Sequence, residues 1–109
     1  MNWIHLTDEK QLRDIEEISH RQPVLVFKHS TRCSISGTAL NRLERNWNTT
    51  EIQPYYLDLL AHRPLSSQVA QAFDVEHQSP QLLLIRDGKC VYHASHWDIN
   101  YAELMKVAG

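Results

Sequence analysis

Glycine and proline are scarce in this 109-residue chain, three and four residues respectively, which leaves no flexible linker, repeat or low-complexity tract. Cysteine is scarcer still, with only Cys33 and Cys90, so no disulfide framework is implied. Long apolar runs are missing, and the opening MNWIHLTDEK lacks the charged-then-apolar plan of a signal peptide. The expected setting is therefore a reducing one, cytoplasmic, with no membrane partner. An excess of positive charge is absent as well. Eleven Lys and Arg against thirteen Asp and Glu give a net charge of -2, which argues against a nucleic-acid partner.

What remains is one compact domain, residues 1–109, long enough to bury roughly two-thirds of the surface its unfolded form exposes. Seven histidines make its charge sensitive to mild acid. A short strand is predicted over residues 2–6. Thr7 is expected to cap a helix over about residues 8–20, with Leu12, Ile15 and Ile18 on one face. Val24-Leu25-Val26-Phe27 is an unbroken run of β-formers and predicts a central strand covered on both faces. A second helix, beginning at or just after Cys33, carries Ala39, Leu40, Leu43 and Trp47 on its apolar side.

Residues 55–59 predict another strand, and Pro64 opens a helix with Leu65, Val69 and Phe73 at i, i+4 and i+8. Residues 81–85 and 89–95 flank Asp87-Gly88, a strong hairpin signal. Asn100 with Glu103 resembles a capping box for a last helix, with Asp98 as a competing cap. The order β-α-β-α-β-α-β-β-α predicts an α/β fold, a mixed sheet with helices on both faces.

Cys33 thus follows a buried strand and precedes a helix. A thiol at a helix N-terminus meets the positive end of the dipole and free backbone N–H groups, both of which favour thiolate over thiol. Arg32 and Lys28 are expected to add positive charge, and His29 would do so if protonated. The spacing is that of a dithiol Cys-x-x-Cys site, but Ser36 stands where the second sulfur would be.

The element order, Cys33-x-x-Ser36 and the Ser79-Pro80 pair before the hairpin resemble the thioredoxin fold over the whole chain. That resemblance implies a cis peptide at Pro80, packed against Cys33, and a groove in which Ser79 aligns an incoming disulfide. Thioredoxins proper carry a buried carboxylate six residues before the nucleophile; here that residue is Phe27. Within the superfamily, Lys28-His29-Ser30-Thr31-Arg32-Cys33-Ser34-Ile35-Ser36, His77-Gln78-Ser79-Pro80-Gln81 and His93-Ala94-Ser95-His96-Trp97-Asp98-Ile99 resemble the YtxJ-type, BrxC-like monothiol bacilliredoxins. One departure stands out: Ser34 replaces the proline of that family's usual Cys-Pro-Ile-Ser and restores a backbone donor.

The resemblance implies a thiol–disulfide oxidoreductase of redox homeostasis that removes bacillithiol from S-bacillithiolated proteins. It implies no bound cofactor, with bacillithiol, a low-molecular-weight thiol, as co-substrate. Cys33 would be catalytic; Arg32, Ser34, Ser36 and Lys28 would stabilise its thiolate. Thr31, Gln78, Ser79, Pro80, His96 and Trp97 would bind substrate.

Cys90 follows the hairpin turn, roughly 15 Å of strand from Cys33 at about 3.3 Å per residue, beyond disulfide reach. It is expected to be structural. Cys90, His93 and His96 do not share one strand face, so no metal site is expected there. Two rival readings remain: a binding module without turnover, and a glutaredoxin-like iron–sulfur carrier, whose Cys-Gly-Phe-Ser signature Ser34-Ile35 does not match.

Overall fold

A computed structural model describes residues 1–108. The elements run β1 (Ile4–His5), α1 (Gln11–Ser19), β2 (Val24–His29), α2 (Ser34–Asn46), β3 (Gln53–Asp58), α3 (Arg63–Phe73), β4 (Gln81–Arg86) and β5 (Lys89–Ser95). A 3-10 turn (His96–Asp98) and α4 (Tyr101–Ala108) complete them. The predicted alternation is present, with several ends displaced.

The start of α1 is one such correction. Asp8 turns the chain, its Oδ1 accepting the Lys10 N–H at 2.9 Å and its carbonyl the Gln11 N–H at 3.0 Å. Gln11 Oε1 then reaches back to accept the N–H groups of Thr7 (2.7 Å) and Asp8 (3.0 Å). Asp8 thus does the capping expected of Thr7, with Gln11 reaching back to it, and the helix opens later. At α4 the expected cap holds, since Asn100 Oδ1 accepts the Glu103 N–H at 3.1 Å, while Asp98 belongs to the 3-10 turn. β3 starts at Gln53 and takes in Pro54. β1 pairs only with Tyr55 and Tyr56, so a residue without an N–H costs no ladder bond on that side.

The strands form one sheet in the order β1-β3-β2-β4-β5, with β4 antiparallel to β2 and β5 and the other pairings parallel. Every residue of β2 is buried, as its unbroken apolar run predicts. Alternation divides its side chains between two cores. Val24 and Val26 join Leu83, Ile85 and Leu57 under Ile15 of α1 and Leu65, Val69 and Phe73 of α3. Leu25 and Phe27 join Leu82 and Leu84 under Ala39 and Leu43 of α2 and Leu104 of α4.

Register places the loops. Lys28 pairs with Gln81, and Gln81 with Ser95, so the end of β2, the start of β4 and the end of β5 share one edge. Val24 pairs with Ile85, and Ile85 with Cys90, at the opposite edge.

Candidate thiol redox site

At the first of those edges the chain leaves β2 at His29 and turns over residues 30–33. The Cys33 N–H donates to the Ser30 carbonyl at 3.1 Å, and the Cys33 carbonyl accepts the Gly37 N–H at 3.2 Å. Cys33 is therefore the N-cap of α2, in extended conformation (φ -108°, ψ 119°), and its thiol makes no capping bond. The N–H groups of the first turn have no intrahelical partner, and the positive end of the dipole lies there. Cys33 is half-buried, and Thr31, Arg32 and Ser34 are exposed beside it. Among the described residues Arg32 makes no ion pair. The Ser34 carbonyl accepts the Thr38 hydroxyl at 3.1 Å.

Ser36 is wholly buried. Its Oγ accepts the Ser30 N–H at 3.0 Å and lies 2.7 Å from His29 Nδ1. The resemblance implies that its hydroxyl stabilises the thiolate; the hydrogen-bond partners it has here are Ser30 and His29. His29 follows Phe27 onto the α2 side of β2 and packs against the rings of Phe27 and Tyr56, at centroid distances of 6.0 and 5.5 Å. Burial holds its imidazole below the ordinary histidine range, against opposing contributions from Asp58, Glu44 and Ser36. Neutral histidine is thus favoured.

Lys28 is a second correction. It follows Val24 and Val26 onto the opposite face of the sheet, away from α2, and has no solvent exposure. Its Nζ lies 3.1 Å from Nδ1 of His77, and Ser66 Oγ of α3 lies 3.1 Å from the same nitrogen. Burial pushes the Lys28 ammonium down to about 8. Its charge supports the loop before β4 rather than the Cys33 thiol.

That loop is held by one more buried side chain. Gln81 donates through Nε2 to the Glu76 carbonyl at 3.0 Å and accepts the Gln78 N–H at 3.4 Å. The Ser79–Pro80 peptide is cis. Gln78 and Ser79 are half-buried, and Ser79 Oγ is a buried hydroxyl with no partner among the described residues. The Pro80 carbonyl accepts the His96 N–H at 3.0 Å. His96, at φ 55°, bends the chain out of β5, and the 3-10 turn packs against α2. Trp97 is 62% exposed, a rim residue rather than a core one.

Cys90 lies at the far edge, packed against the core under α1 and α3. Burial pushes its thiol up, away from the thiolate. Asp58 closes the turn after β3, accepting the N–H groups of Leu60 (3.0 Å) and Ala61 (3.4 Å). The supporting roles of Ser66, His77 and Gln81 have no counterpart among the sequence expectations. The signal was strand parity: residues two apart on β2 share a face, so Lys28 goes with Val26 and His29 with Phe27.

A family model described as monothiol bacilliredoxin BrxC matches residues 4–104. Among solved structures, one similar protein is proposed to be an oxidoreductase, with a thioredoxin fold. It is 30% identical, with a TM-score of 0.85, over 97% of this chain and 93% of its own. A mutant thioredoxin from Halobacterium salinarum NRC-1 is 16% identical at a TM-score of 0.74, over 96% of this chain and 86% of its own. A thioredoxin from Malassezia sympodialis is 14% identical at 0.73, over 98% and 88%. These last two show the fold alone, and it is the thioredoxin fold that the sequence resembles.

Proposed function

Because the chain belongs to the monothiol bacilliredoxin BrxC family, we propose that it removes bacillithiol from protein mixed disulfides through Cys33. Family and fold together support a redox function. The observation that carries the finer reading is the site's single sulfur. Cys33 occupies the N-cap position of α2 with its thiol free, a buried serine stands three residues later, and Cys90 sits at the other edge of the sheet.

The cycle has two exchanges. The Cys33 thiolate attacks the bacillithiol sulfur of a modified protein; a sulfur–sulfur bond forms at Cys33, and the protein sulfur leaves with the electron pair. A second bacillithiol thiolate then attacks that same bacillithiol sulfur, releasing Cys33 thiolate and the symmetric bacillithiol disulfide. Exchange of this kind needs an accessible attacking thiolate and an accessible target. The exposed Arg32 guanidinium would attract the carboxylates of bacillithiol, and Thr31 lies beside it. The unpartnered Ser79 hydroxyl, Gln78, Pro80, His96 and Trp97 would form the wall that receives the modified protein. A buried hydroxyl left unpaired costs about 1–3 kcal/mol, which a substrate acceptor would recover. The proposed location is the cytoplasm, and no nucleic acid, membrane or bound cofactor takes part.

The test is turnover. A bacillithiolated protein incubated with excess bacillithiol and a catalytic amount of the chain should lose its adduct many times over. Cys33→Ala should not accelerate that loss. No acceleration by the unmodified chain would overturn the reading.

A further inference from the structure

We propose that His29 is a positioning residue which sets, through Ser36, whether the Ser36 hydroxyl proton faces the Cys33 sulfur or the imidazole. The inference rests on Cys33 being the nucleophile proposed above and deepens that reading.

A serine hydroxyl has one proton and two acceptor positions. The Ser30 N–H, 3.0 Å away, fills one acceptor position of Ser36. His29 Nδ1, at 2.7 Å, must then either accept the hydroxyl proton or donate into the remaining position. If His29 carries its proton only on Nε2, Nδ1 accepts and Ser36 spends its proton on the imidazole. If Nδ1 is protonated, Ser36 accepts twice and its proton is free. The group proposed to use it is Cys33, the N-cap of α2, three residues before Ser36 in sequence. No covalent bond between heavy atoms changes here. One hydrogen bond is exchanged for another, and the disulfide chemistry keeps its own balance.

The surroundings of His29 suit such a choice. From β3, Tyr56 and Asp58 face it; from α2, Glu44 and Ser36; and His5 of β1 packs on Tyr56. Lys28 points to the other face of the sheet. The acids favour protonation and burial opposes it, with burial the larger. Burial and the two acids thus oppose one another at this ring. Coupling of this kind is reciprocal: the factor by which thiolate favours protonated Nδ1 is the factor by which protonated Nδ1 favours thiolate.

The experiment is the pH profile of Cys33 alkylation by iodoacetamide, combined with nitrogen NMR of the His29 ring before and after alkylation. Neither readout needs bacillithiol. Below the ordinary histidine range the parent chain should keep its reactivity on the order of 5-fold above the single-ionisation line, the lower end of typical coupling factors. His29→Leu and Ser36→Ala should both follow that line. Alkylation should move the His29 ring toward the form with Nδ1 unprotonated. If either variant is unstable, the NMR comparison on the parent chain decides alone. An unchanged His29 titration and tautomer after alkylation, or an extra inflection that survives in Ser36→Ala, would overturn the inference. Failure of bacillithiol transfer with the coupled titration intact would remove the proposed function and leave this coupling standing.

Discussion

The Lys28 ammonium lies 3.1 Å from Nδ1 of His77, beneath a loop it helps to hold and with no exposure of its own. An ammonium can only donate, so Nδ1 must accept and His77 must be neutral. A lone charge in the core of a small domain is costly, and its cost depends on pH.

Folding lowers Lys28 from 10.5 to about 8. Between those values the unfolded chain binds a proton that the folded chain has released, so stability rises with pH across that window. Cys90, Tyr55 and Tyr56, pushed up chiefly by burial, act in the opposite direction. The difference between parent and Lys28→Met isolates the lysine. From pH 7.5 to 9.5 the parent should gain about 2 kcal/mol relative to that variant, as read from urea unfolding under reductant. Parallel curves would contradict the assignment.

His77 reports the same contact from the acid side. Burial first, and the Lys28 charge second, hold its imidazole below the usual value of 6.5. The unfolded chain therefore takes up the proton first, and stability falls as pH drops below 6.5. In Lys28→Met the His77 ring should titrate closer to 6.5 in proton NMR. An unmoved titration would show that the two groups do not interact.

Gln81 ties two backbone groups of the loop before β4. Gln81→Leu should leave both unpaired and destabilise the fold by about 1–3 kcal/mol. Amide exchange at Gln78 should accelerate, and Cys33 should exchange more slowly with a protein disulfide than with a small one. Unchanged exchange at Gln78 would remove Gln81 from the account.

Much of this architecture was legible locally. Four successive β-formers marked the buried strand, the i, i+4, i+8 series Leu65, Val69 and Phe73 marked α3, and Asp87-Gly88 marked the hairpin. The Cys33–Ser36 spacing marked the candidate site. What was misread was direction. Lys28 was assigned by its nearness in sequence to Cys33, whereas the parity of β2 sends it to the opposite face. The Cys33–Ser36 spacing carries no trace of the partner that the Ser36 hydroxyl finds on the preceding strand, at His29. The hold of Gln81 on Glu76 and Gln78 depends on how the loop closes in three dimensions, and no sequence period encodes it.

If Ser36 confines the site to one-sulfur chemistry, Ser36→Cys should restore the missing partner. The variant should release bacillithiol from Cys33 without a second bacillithiol and end as an intramolecular disulfide, seen as a loss of two hydrogens by mass. Retention of the adduct by Ser36→Cys would mean that the position does not control the outcome.

The most direct measurement is the intact mass of the chain after a single exposure to a bacillithiolated protein, with no free bacillithiol present. The parent chain should gain one bacillithiol as the client protein loses it, and peptide mapping should place it on Cys33. Cys33→Ala should gain none. An unmodified parent chain, or equal gain by Cys33→Ala through Cys90, would contradict the claim that Cys33 is the one working sulfur of this fold.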